Sequence, residues 1–333
     1  MIDYRVAVLL SVTLFTASVG AGQTPQPAPA NPPAAPGQMS DAERLRAMPD
    51  IPGNGPYPSS YEAIPEGGGV VVYRPNDLEA AARSRKLGIY LWGNGGCQGD
   101  AASARFHLLD MASHGFVVVV PGRIGSGPRG PRTEGERPRV VPQGPIAPQP
   151  GAVLAVTPAR MTGSLDWILA ENTRPGSEYF GKLDPQRVAV SGHSCGGLLS
   201  ITTSFDSRVH AVIAEDSGVL PDDKNVLPFV TKGDLSKLRL PILYILGGPT
   251  DVAEPNALDD FSRIKQVPVF VADRPGTGHG GSFVKPGSEG TEIELAWLAW
   301  QLDHDQQAAK MFEGPDCGLC RRPEWQVHRS GIK

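Results

Sequence analysis

Residues 188–197 read Val-Ala-Val-Ser-Gly-His-Ser-Cys-Gly-Gly, and no other stretch limits the fold as tightly. A β-branched run carries the chain into Gly192-His193-Ser194-Cys195-Gly196, and Leu198, Leu199 and Ile201 follow at the spacing of a helix's buried side. The local order is therefore strand, sharp turn, helix. A G-x-S-x-G elbow of this kind puts the serine on a strained strand-to-helix turn, with glycines where a Cβ would strike the neighbouring strand or helix. Ser194 is thereby expected to present its hydroxyl above the sheet, at the positive end of a helix.

The surrounding pattern predicts what that elbow is built into. Apolar runs at Leu87–Trp92, Phe116–Val120, Val209–Ala214, Ile242–Leu246 and Val269–Ala272 read as strands, the last of these closing the series. Tyr61–Ile64 and Val70–Arg74 read as an antiparallel edge hairpin. Helical spacing marks Asp100–His114, closed by Gly115, and a stripe of Met161, Leu165, Ile168 and Leu169 opened by Thr157-Pro158. Thr291–Phe312 reads as one long amphipathic helix. Strands alternating with helices, without an internal repeat, predict one α/β domain with a doubly wound, mostly parallel sheet and helices on both faces.

The ends of the chain fix its boundaries. Met1–Ala21 carries Arg5, an apolar stretch from Val6 to Val19 and a small-residue site at Val19-Gly20-Ala21, which predicts a secretory signal rather than a membrane span. Residues 22–38 are rich in Pro and Ala and read as an extended linker, so the folded domain is expected over 39–333, opening with a short helix capped at Ser40. Within it, 122–157 is a long Pro- and Gly-rich insert with five arginines, expected to form a rim or lid, and 313–333 is a cysteine-containing tail. A net charge of −4 leaves no basic excess for nucleic acid. No stable membrane insertion is expected once the signal is removed.

A serine hydroxyl needs a base within hydrogen-bond reach and a carboxylate to orient that base. In this architecture the chain order is Ser, then Asp or Glu, then His. Strand Ile242–Leu246 opens into a turn carrying Asp251, and strand Val269–Ala272 opens into a glycine-rich loop carrying His279. Asp216, one strand earlier, is the alternative acid. His193 is expected to point away from Ser194. The oxyanion hole is expected to combine the amide of Cys195 with that of Cys97, at the end of the Gly93–Cys97 loop.

Both oxyanion candidates are cysteines. In an exported chain they form either a disulfide that clamps the hole or two unreactive buried thiols. Cys317-Gly318-Leu319-Cys320 is expected to be a structural disulfide, since no second pair remains for a zinc site and no thioredoxin-like setting surrounds it.

On these residues the chain resembles the α/β-hydrolase superfamily over most of 55–312. Gly55-Pro56-Tyr57-Pro58, Ala112–Val119 and Gly192–Gly197 resemble the secreted dienelactone-hydrolase-like and polyesterase-lipase-cutinase serine esterases. The resemblance implies an exported carboxylesterase with no metal or organic cofactor, acting on a small-molecule or polymeric ester through an acyl-enzyme. Where that group commonly has Pro-Gly and an aromatic residue in the oxyanion loop and Met after the nucleophile, this chain has Gly96-Cys97 and Cys195. A secreted serine peptidase-like hydrolase and a non-catalytic exported binding protein on the same fold are the competing expectations.

Overall fold

The computed structural model describes residues 44–129 and 155–332, apart from 46, 226, 228 and 282. The expected signal, the linker, most of the first short helix and the centre of the 122–157 insert lie outside the described residues.

Among the described residues nine strands form one sheet in the order β1-β2-β4-β3-β5-β6-β7-β8-β9. They are β1 (Ser59–Ile64), β2 (Val70–Pro75), β3 (Leu87–Gly93), β4 (Phe116–Pro121), β5 (Leu183–Gly192), β6 (Ala211–Glu215), β7 (Ile242–Leu246), β8 (Val269–Asp273) and β9 (Gln326–Ser330). From β4 through β3, β5, β6 and β7 to β8 every pairing is parallel, while β1, β2 and β9 add antiparallel edges. The α-helices described in full are α1 (Leu78–Ala82), α2 (Arg105–Ser113), α3 (Pro158–Thr173), α4 (Cys195–Thr203), α5 (Glu254–Arg263), α6 (Glu289–Asp303) and α7 (Gln306–Ala309).

The central strands read as continuous apolar runs because they are covered on both faces. Their side chains alternate between two cores: Leu87, Ile89 and Leu91 of β3 pack in one with Met161, Leu165 and Ile168 of α3 and Leu198 and Leu199 of α4. Tyr90 and Trp92 of the same strand pack in the other with Leu108 and Met111 of α2 and Ile293 and Trp297 of α6. Period two in the strand and a single stripe on each helix thus produce three layers.

Local chemistry sets the helix ends. Thr157 caps α3, its side chain accepting from the Arg160 amide with Pro158 in the first turn, and Gly115 turns the chain at φ +90° after α2.

Three expectations are corrected. Asp100 forms a β-bridge with Arg123 and residues 101–104 form turns, so α2 starts only at Arg105. The long C-terminal helix is broken: α6 ends at Asp303, His304 takes φ +55°, and Asp305 caps the separate α7 through the amides of Gln307 and Ala308. The tail also returns to the sheet, because β9 pairs antiparallel with β8 from Asp273–Gln326 to Val269–Ser330. Val269–Ala272 is therefore not the last strand, and a polar edge segment such as Gln-Val-His-Arg-Ser gives little apolar signal of its own.

Candidate active site

The elbow forms where β5 meets α4. Ser194 has φ +55° and ψ −120°, a conformation that L side chains rarely adopt, and its amide donates to the carbonyl of Glu215 at 2.9 Å. Close packing explains the glycines. A Cβ on Gly196 would lie 1.9 Å from the Gly93 carbonyl oxygen, and one on Gly192 would lie 2.5 Å from the Gly196 carbonyl carbon. Only hydrogen fits between the turn after β3 and the first turn of α4.

The turns after β7 and β8 bring Asp251 and His279 to the serine. His279 Nε2 lies 3.0 Å from Ser194 Oγ, and its Nδ1 lies 2.7 Å from Asp251 Oδ1. Asp251 is fully buried whereas His279 keeps 29% of its side chain exposed, so the chain runs from solvent inward. Burial pushes the Asp251 carboxyl upward, but hydrogen bonds from His279, from the Ala253 amide and from Asp216 outweigh it and hold the group below its usual range. With Asp251 ionised, Nδ1 carries the proton and Nε2 is left to accept from the serine hydroxyl.

Asp216 does not contact His279. It lies 4.0 Å from His193 Nε2, and its Oδ2 accepts from the Gly280 amide at 2.6 Å. His193 is not remote from the site: its ring packs on His279 at 4.7 Å and on Phe283 at 5.0 Å. Burial, reinforced by the nearby His279, pushes its pKa down to about 3, so it is neutral beside His279.

Cys97 and Cys195 are bridged, with Cα atoms 5.2 Å apart. Of the two sequence alternatives the disulfide holds, and Cys317–Cys320 forms the second one. The bridge ties the turn after β3 to the first residue of α4. Within that turn Gly96 and Cys97 have φ +64° and +50°, and the Cys97 amide donates to the Asn94 carbonyl at 3.1 Å. The Cys97 amide, expected as an oxyanion donor, thus closes a turn in this structure. The neighbouring amide of Gly96, like that of Cys195, has no protein acceptor among the described residues.

A second polar network, not anticipated from the sequence, lies buried beneath the elbow. The Tyr90 hydroxyl donates to Glu294 Oε2 at 2.6 Å and sits 3.0 Å from His107 Nε2, while His107 Nδ1 meets the Thr291 hydroxyl at 2.8 Å. Ser191 donates to Glu294 Oε1 at 3.2 Å. Glu215, fully buried, has its carboxyl against Glu294; burial first, and then the Glu294 charge, push it far above the usual carboxylate range. His107, Glu215 and Glu294 are the one set of described residues with donors close enough together for a metal ion. Both imidazole nitrogens are already hydrogen-bonded, whereas neither carboxyl oxygen of Glu215 has a hydrogen-bond partner among the described residues. Its sequence signal is faint: a Glu ending an apolar strand and another inside an apolar helix stripe.

No family model matches the chain, and no curated protein is significantly similar to it.

Proposed function

We propose that this chain is an exported serine carboxylesterase with an α/β-hydrolase fold. The observation that carries the reading is the unbroken chain Ser194 Oγ, His279 Nε2, His279 Nδ1, Asp251 Oδ1, with links of 3.0 and 2.7 Å, ending on a serine held at φ +55°. The three residues follow β5, β7 and β8, in the order Ser, Asp, His that the fold uses.

In this mechanism Ser194 Oγ attacks the ester carbonyl as His279 Nε2 takes its proton. Asp251 holds the imidazole in the required tautomer and stabilises the imidazolium. The amides of Cys195 and Gly96 receive the developing oxyanion. His279 then protonates the departing alkoxide, and the acyl-enzyme is hydrolysed by a water that the same imidazole activates. Residues 1–21 and the two disulfides support export into an oxidising compartment. Among the described residues no helix is long and apolar enough to cross a membrane.

The test compares p-nitrophenyl esters of increasing acyl length with wild type and Ser194→Ala. The variant is expected to lose kcat by about 10⁶-fold, as for other triad nucleophiles. Equal rates would overturn the proposal.

A further inference from the structure

Asp216 is the alternative acid by chain order, yet its surroundings give it a different task. It is fully buried and has φ +41°, and its amide donates to the Ile245 carbonyl of β7 at 2.7 Å. Its Oδ2 accepts from Gly280, the residue after His279, at 2.6 Å. Its Oδ1 is buried and has no hydrogen-bond partner among the described residues, and the Asp251 carboxyl is the charged group that acts on it most strongly. Two ionised carboxylates buried side by side repel, whereas a proton on one of them lets this oxygen bond the other carboxyl.

Donor counting assigns the proton. Asp251 receives N–H groups from His279 at 2.7 Å, Ala253 at 2.9 Å and Gly247 at 3.3 Å, all of which favour its ionised form. Among the described residues Asp216 receives an N–H group from Gly280 alone. No charged base compensates it either: His193, 4.0 Å away, is neutral. The other groups facing Asp216 are Asp251 and Asp273, both acidic, and His279 beyond Gly280, while Glu215 precedes it on the chain.

We propose that Asp216 is a positioning residue for the Asp251–His279 pair: a neutral carboxylic acid that donates its proton to Asp251 as a hydrogen bond and accepts the Gly280 amide on its other oxygen. One group thereby joins the turn that carries the acid to the turn that carries the base. The proposal rests on the hydrolase reading. Burial, followed by the Asp251 charge, raises Asp216 well above the usual carboxylate range, in keeping with a retained proton.

Asn is the natural probe, because its amide nitrogen can donate to Asp251 and its carbonyl can accept from Gly280, without charge. Asp216→Ala is expected to lower kcat by about 10- to 100-fold, with KM changing far less, the size of effect that a misplaced base produces. Removing a donor from Asp251 strengthens its hold on the imidazolium, so the acid limb of kcat/KM should also move to higher pH in Asp216→Ala. Asp216→Asn should recover most of the lost kcat and restore the limb. If Asn falls as far as Ala, the role assigned to a neutral donor is wrong.

A second measurement does not depend on turnover. The infrared difference between wild type and Asp216→Asn should contain the carbonyl stretch of an un-ionised carboxylic acid, and a carboxylate band in its place would overturn the proposal. Failure of the hydrolase reading is separately visible as wild type that neither hydrolyses esters nor differs from Ser194→Ala.

Discussion

Replacing Cys97 and Cys195 together by Ala removes a cross-link between residues 98 positions apart. In the chain-entropy model a loop of that length is worth about 4.7 kcal/mol, whereas the three-residue spacing of Cys317–Cys320 is worth only about 1.6 kcal/mol. At about 2 °C per kcal/mol for a domain of this size, the first double variant should melt about 8–10 °C below wild type and the second about 3 °C below it. The catalytic consequence differs even more. The bridge holds Gly96 and Cys97 at positive φ against the first turn of α4, beside the two unpaired amides assigned to the oxyanion. Loss of one such donor costs about 3 kcal/mol, so kcat at 25 °C should fall by about 10²-fold in the Cys97/Cys195 variant and stay near wild type in the Cys317/Cys320 variant. Thermal melts by circular dichroism and ester hydrolysis well below the lower melting point separate the two effects. Equal melting shifts for the two pairs, or an unchanged kcat without the first bridge, would refute the reasoning.

Three further outcomes follow from contacts elsewhere. Gly196→Ala places a methyl 1.9 Å from the Gly93 carbonyl oxygen, so it should abolish the elbow geometry and yield little folded protein in an expression and melting screen; a wild-type melt would contradict the packing. His193 is held at about 3 by burial and by His279, below its unfolded value near 6.5, so it contributes stability above pH 6.5 that is lost as the pH falls toward 3. His193→Asn should therefore show a shallower decline of Tm between pH 6.5 and 4 than wild type, and identical profiles would argue against a half-buried neutral ring. Lys232 is buried with Nζ 2.6 Å from Asp260, which burial raises to about 6 even with the lysine present. Lys232→Met should destabilise by about 3–5 kcal/mol in denaturant melts, and adding Asp260→Asn should recover part of that loss.

Much of this architecture was legible because local and tertiary signals agree. The buried stretches of β3 to β8 need apolar runs, and the elbow needs glycine where Gly93 and Gly196 meet, so both features are visible in the residue order. Asp251 and His279 could be chosen because each sits just past an apolar strand, although nothing in the sequence fixes the 2.7 and 3.0 Å links between them and Ser194. What escaped depends on contacts between distant segments. β9 is recognisable only beside β8, the break at His304 needs a left-handed residue that is not glycine, and the Cys97 amide is used by a turn whose shape the residue types do not specify. Asp216 and Glu215 look like any strand-end acids until Asp251 and Glu294 are placed against them.

Reaction with a fluorophosphonate tests the central claim most directly, because a serine activated by a neighbouring base is phosphonylated far faster than an ordinary hydroxyl. The expected result is one adduct per chain, mapped by mass spectrometry to the peptide that contains Ser194 and lost in both Ser194→Ala and His279→Ala. Labelling that persists in Ser194→Ala, or wild type that stays unmodified while fully folded, would contradict the account.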